Sequence, residues 1–291
     1  MSWKPEAVRY APWEIALMRL GFAGLLWYRM PNVVPPAVQP FPNGLSHWID
    51  LTFLSNLAIF TPARWIFLAM LALYVVGRLM PLALSYLLCL NVAVYTLWNS
   101  QGWIGHTDQI ISLTLLTQTL FHVFAAVRRF QPKDGRSLGD LEISISLQTI
   151  AASYVVAGVT KLIKSGGMWL AQLPNITVQI EKTNEQYFYD FLRHPNPGLT
   201  EWLNGQLIAH PWLAYPFFGP GLIVELAAIL LPYGRRHAAI LGLALLAMHA
   251  LISLTMQITF TTNIWMLIIF ALNLPYWVVA IWNRTGGRTP A

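Results

Sequence analysis

Long apolar runs alternate with short stretches that carry most of the charge. Eight runs are long enough to cross a bilayer as helices of roughly 20 residues. They cover residues 12–30, 62–79, 82–98, 108–127, 141–163, 216–233, 238–256 and 262–282. Only Met80-Pro81 separates the second from the third, which predicts a tight helical hairpin with Pro81 at a helix start. The predicted fold is all-α, a polytopic membrane bundle of about eight transmembrane helices forming a single domain over residues 1–291. Two other stretches do not read as spans. Residues 31–61 are rich in proline and aromatics, and residues 164–215 mix charge with Tyr187, Phe188, Tyr189, Phe191, Trp202 and Trp212. The second is too long for a passive connector and predicts amphipathic helices on the membrane surface that roof a cavity. Neither an internal repeat nor a broken mid-membrane helix is read, which weighs against a transporter.

Composition makes lipid the solvent. The chain is 56% hydrophobic and 10% charged, against about 25% charged in a soluble domain. Many of its 13 tryptophans lie near run ends, where indoles favour the headgroup layer. The net charge of +6 reads as topology charge, not as a nucleic-acid footprint, because the basic residues cluster in short loops. With the N-terminus inside, the inner loops hold Lys4, Arg9, Arg78, Arg128, Arg129, Lys133, Arg136, Arg235, Arg236, Arg284 and Arg288. The outer side holds Arg29, Arg64, Lys161, Lys164, Lys182 and Arg193, so the count is eleven to six. This predicts cytoplasmic termini, an extracytoplasmic 164–215 segment and location in the cytoplasmic (inner) membrane. No small-residue cleavage site follows the first run, so no cleavable signal peptide is expected. The single Cys89 excludes an intrachain disulfide and a thiolate metal cage. HExxH, paired CxxC, Walker and GxGxxG patterns are absent, so no metal site is expected.

Against this background, polar residues inside the runs stand out. Lys161 closes the apolar stretch 154–162, where an ammonium is costly and burial can turn it into a base. His249 lies in the outer half of the seventh run. His106 and Asp108 stand at the outer end of the fourth, where the helix dipole favours an anion. The topology puts Lys161, His106 and His249 at similar depth, so one pocket is expected to gather them. Arg19 and Glu225 lie mid-run and are expected to pair, because a lone arginine at that depth costs roughly 2.5–3.5 kcal/mol. His47, His122, His194, His210 and His237 read as loop or interface residues.

Four segments in register resemble one family. "YVVAGVTKL" (154–162) followed by Trp169, "GHTDQIISLTLL" (105–116), "AMHALISLTMQITFTTNIWML" (247–267) and "APWEIALMRLGFAGLLW" (11–27) are similar to helices of vitamin K-dependent gamma-glutamyl carboxylase. The chain resembles the transmembrane-only version of that fold, the HTTM domain. Through "AGVTKL" and "GLIVELAAILLP" it is also similar to lipase maturation factors. The resemblance implies an integral membrane enzyme that uses a reduced quinone (vitamin K or menaquinone hydroquinone), oxygen and carbon dioxide. Lys161 would then be the base on the quinol, with His106 and His249 in the same catalytic centre and Asp108, Tyr154 and Trp169 on the cofactor. The family's lysine pair is here Thr160-Lys161, and its large lumenal domain has no counterpart after the last run, which leaves 164–215 to read a substrate. The competing reading is a non-enzymatic maturation or assembly factor for an exported protein or peptide client, with the polar residues as packing elements.

Overall fold

The computed structural model describes residues 7–34, 44–100, 108–132, 134–193 and 197–284. Every regular element among them is helical. Among the described residues, seven stretches are long and apolar enough to cross a membrane: Leu57–Val76, Met80–Asn99, Gln109–Val127, Leu138–Lys164, Pro211–Tyr233, Arg235–Met256 and Thr261–Asn283. The first expected run, 12–30, forms helix α1 (Pro12–Arg29), which carries three charges, Glu14, Arg19 and Arg29. It falls outside that set. The chain divides into two compact units, and the described residues of 7–149 and 273–284 form the first, those of 150–272 the second.

The first unit contains α1, α2 (Leu57–Val76), α3 (Met80–Asn99), α4 (Gln109–Val127), α5 (Leu138–Lys164) up to Thr149, and α11 (Leu274–Arg284). Helix α2 starts five residues before the expected 62 because the Asn56 side chain accepts the Ala58 N–H at 2.9 Å and caps it. Pro62 is carried inside the helix. At the other end Gly77 has φ 73°, and Arg19 Nη1 occupies the space a Cβ would take. The α2–α3 hairpin is therefore closed by a residue that only glycine fits. Helix α5 begins on a reciprocal cap, with the Ser137 N–H donating to Asp140 (2.6 Å) and the Asp140 N–H to Ser137 Oγ (3.1 Å). The core of this unit is large and mostly apolar, with Phe22, Phe60, Phe67, Tyr74, Leu84, Leu87 and Leu115 fully enclosed.

The second unit contains α5 from Ile150, then α6 (Ile176–Phe191), α7 (Pro197–Ala209), α8 (Ala214–Ala227), α9 (Arg235–Met256) and α10 (Thr261–Met266). The described part of the 164–215 segment contains the helices α6 and α7. Leu173, Ile180, Leu203, Leu207, Ala214, Phe218 and Met256 form one core cluster that ties α6 and α7 onto α8 and α9. The last run corrects the expectation of unbroken spans. Past α10 it passes through a π-helical stretch (Leu267–Leu272) and breaks at Asn273, at φ 44°, before α11. The reason is local. Pro275 has no N–H to donate and its ring would clash with the carbonyl four residues back, so it sits near the start of α11 and an unbroken helix does not run through it, while asparagine tolerates a positive φ better than most residues. Asn273 Nδ2 then donates to Glu14 Oε2 at 2.7 Å within the first unit.

Candidate functional site

Helix α5 presents Tyr154, Gly158 and Lys161 at i, i+4 and i+7, which places them on one face. Gly158 decides what that face meets. A Cβ there would lie 3.1 Å from Leu226 Cδ2 and 3.3 Å from Glu225 Cβ, so the missing side chain lets α5 and α8 approach closely. Small residues do this at membrane helix interfaces. One turn further, Lys161 Nζ donates to both carboxylate oxygens of Glu225, at 2.6 and 2.7 Å. The lysine side chain is 35% exposed and the glutamate 6%. The ammonium also lies 5.6 Å from the centre of the Trp169 ring, a cation–π arrangement. Toward the start of α5, the Tyr154 hydroxyl and His249 Nε2 share a hydrogen bond of 2.7 Å. The His249 ring packs on Phe260 with centroids 4.7 Å apart, and its buried Nδ1 has no hydrogen-bond partner.

Of these side chains, Lys161, Trp169 and Phe260 line a cavity of about 570 Å³, and Tyr154, Glu225 and His249 stand behind its wall. Lys161, Trp169, Gln179, Phe217, Met248 and Phe260 are among the residues that line it. Its wall is overwhelmingly apolar, and the one charged group among its lining residues is the ammonium, which makes two hydrogen bonds to Glu225. Volume and lining are those of a small-molecule site, with one polar group to orient an otherwise greasy ligand. Phe217 and Pro220 are exposed on the apolar helix α8, so this side of the cavity borders the surface that a membrane helix gives to lipid.

Of the residues predicted to share a pocket, Lys161, Tyr154, Trp169 and His249 fall together in this unit, joined by Glu225. His106 lies outside the described residues. Asp108 belongs to the first unit, where the Arg29 fork holds its carboxylate at 2.5 and 2.7 Å. The expected Arg19–Glu225 pair is corrected: Glu225 takes Lys161, and Arg19 donates from Nε and Nη2 to Glu142 at 3.0 and 2.5 Å. Depth alone matches Arg19 to Glu225, and depth does not select between helices.

His122 is corrected as well. It is neither loop nor interface but buried in α4, with Nε2 2.9 Å from Glu142 Oε2. Glu142 is fully enclosed, although its place next to the polar start of α5 gives no hint of burial. The sequence does carry a signal for this centre in the spacing of its polar residues. Glu142, Ser146 and Thr149 repeat at i, i+4 and i+7 on α5, and Thr114, Gln118 and His122 follow one another at four-residue steps on α4.

Gly158→Val is a direct test of the α5–α8 approach. The added branches meet Leu226 and Glu225, so the expected outcome is displacement of Glu225 from Lys161 and destabilisation by about 1–3 kcal/mol. Unfolding curves in detergent measure it, and Gly158→Ala should cost less.

Compared with known protein families, curated proteins and solved structures, the chain finds no match.

Proposed function

We propose that this chain is an integral membrane enzyme that binds a lipid-soluble quinol in the cavity of the second unit and removes its hydroxyl proton at the Lys161–Glu225 pair. The observation that carries this reading is an ion-paired lysine set into the wall of an apolar cavity, beside the flat face of Trp169. The donor set suits such a ligand. Trp169 and Phe260 offer aromatic walls, the apolar remainder suits an isoprenoid-like tail, and Lys161 is the polar group for a ring oxygen. When bound, a quinol supplies reducing electrons for oxygen, which in the carboxylase family precedes carboxylation of a substrate.

The residues themselves account for the proton. Lys161 passes one proton to Glu225 and takes the phenolic proton of the ligand, which returns it to the ammonium form. The pair then holds one proton more than before, and the ammonium lies beside the new phenolate. A phenol has a reference pKa of about 10, so this proton does not leave unaided near neutrality. The dry cavity strengthens the ammonium–phenolate attraction and keeps water from reactive oxygen species. His249, hydrogen-bonded to Tyr154, lies behind the cavity wall against Phe260, with one ring nitrogen uncommitted. The distribution of basic residues supports chemistry at the extracytoplasmic face of the inner membrane, with the ligand entering from the bilayer past α8.

The test is turnover. Protein in lipid nanodiscs, given reduced menaquinone or vitamin K and oxygen, is expected to form quinone or epoxide faster than empty nanodiscs. Equal rates would remove the enzymatic reading. One observation favours the second reading, an assembly factor for an exported client: α6 and α7 with their flanks expose Tyr189, Phe191, Trp202 and Trp212. Crosslinking from these positions to a protein, with no quinol turnover, would select it.

A further inference from the structure

We propose that Arg64, held against α1 at the start of α2, is the anion-binding residue of a site for an acidic membrane phospholipid. The site is independent of the quinol reading, since it lies in the first unit and uses none of the cavity's residues.

The chain offers this arginine almost no counter-ion. Between Glu14 and Asp108 the sequence has one acidic residue, Asp50. Asp50 is exposed, and its Oδ1 accepts the N–H and the hydroxyl of Thr52 at 2.9 and 2.6 Å. Among the described residues Arg64 meets no carboxylate and donates no hydrogen bond, and its Nε is buried without a partner. Arg19 and Arg29 of α1 differ in this respect, because each grips a carboxylate with two nitrogens.

Arg64 is also not turned out freely into the surroundings. Phe60 and Phe67, about one turn to either side on the same face of α2, are fully buried. The guanidinium lies over the Trp27 ring, 5.0 Å from its centre, against the last turn of α1. That stack holds the plane of the fork. Arg64 is the eighth residue of α2, about 10 Å along from Leu57, and helix side chains lean toward the N-terminus. The fork therefore reaches back toward the membrane face at which α2 begins, where long cationic side chains meet the headgroup layer.

A guanidinium with unspent donors at that depth matches two oxygens of a phosphate diester. Basic pockets between membrane helices bind acidic head groups in this way. The flanking surface suits the rest of the lipid. Tyr28, Trp65, Ile66 and Leu68 are exposed on helices α1 and α2, so acyl chains have an apolar surface to lie along while the phosphate meets Arg64. A free phosphate ion gains nothing from that surface and gives up its hydration to reach the arginine.

The experiment is native mass spectrometry of the full chain in detergent, titrated with phosphatidylglycerol, phosphatidylcholine or inorganic phosphate. The wild type is expected to retain phosphatidylglycerol in preference to the other two. Arg64→Gln is expected to bind it about tenfold more weakly, the loss of a charge-assisted contact. Arg64→Lys, which keeps a charge without the fork, should fall between. Equal binding of phosphatidylglycerol by the wild type and Arg64→Gln overturns the proposal. So does inorganic phosphate that competes as well as the lipid, which makes the site one for a free ion. Equal retention of phosphatidylcholine overturns it too, because the site is then blind to net charge. Should Arg64→Gln fail to fold, the wild type decides alone. Phenylglyoxal labelling of Arg64, read from its peptide, is expected to fall on adding phosphatidylglycerol and not on adding phosphatidylcholine, and labelling that both lipids leave unchanged overturns the proposal.

Discussion

Lys161→Met is expected to abolish quinol turnover and to lower stability, while Lys161→Met/Glu225→Leu recovers most of the stability and none of the turnover. The asymmetry follows from burial. Glu225 is nearly enclosed at 6% exposure, and Lys161 supplies both of its hydrogen bonds. Removing the lysine strands a carboxylate among apolar helices. Breaking a fully buried pair costs roughly 3–5 kcal/mol; with Lys161 35% exposed, about 2–3 kcal/mol is expected. Removing both charges leaves two apolar side chains where an ion pair had been, which is often near neutral. Activity has no such compensation, because the relay proposed above needs an amine to take the phenolic proton and a carboxylate to receive the one it gives up. Unfolding curves and turnover on the same preparations measure both. A Lys161→Met protein that turns over like the wild type ends the base assignment. A double variant no more stable than the single one ends the account of Glu225 as a stranded charge.

The membrane class and the positions of most spans were legible in the residues, because an apolar run of about twenty residues has one economical structure in lipid. Boundaries moved where a side chain outweighed hydropathy, as Asn56 did by capping α2 and Asn273-Leu274-Pro275 did by breaking the last run. The local face of α5 was also readable, since Tyr154, Gly158 and Lys161 follow helical spacing. What the sequence withheld was pairing. Arg19, Glu225, Lys161 and Glu142 are four charges in apolar helices, and hydropathy sets the depth of each but not which helix faces which. Two of the choices are made by glycines with no charge at all. Gly158 admits α8 to Lys161, and Gly77 admits the Arg19 guanidinium over the end of α2. The glutamate missed entirely, Glu142, sits within a turn of its helix start, where a carboxylate usually meets water or the helix dipole.

The largest loss of stability is expected from Arg19→Met, about 3–5 kcal/mol, because it leaves the carboxylate of the fully enclosed Glu142 without its guanidinium. Arg19 is itself nearly buried, with a side chain 12% exposed, so solvent does not soften the loss. The guanidinium also packs over the Tyr74 ring, 5.8 Å from its centre, and fills the space above Gly77, so part of the cost is lost packing. Arg19→Lys therefore separates the two contributions. It keeps a charge for Glu142 but cannot make the two-pronged contact or cover Gly77, and it is expected to recover about half of the loss. Arg19→Met/Glu142→Met should recover more, falling short of wild type by the hydrogen bond His122 loses, roughly 1 kcal/mol. Denaturation of the wild type, both single variants and the double variant in one detergent gives the cycle. If Arg19→Met and Glu142→Met lose equal amounts and their losses simply add, the two residues are not a pair, and the centre built around Glu142 loses its electrostatic basis.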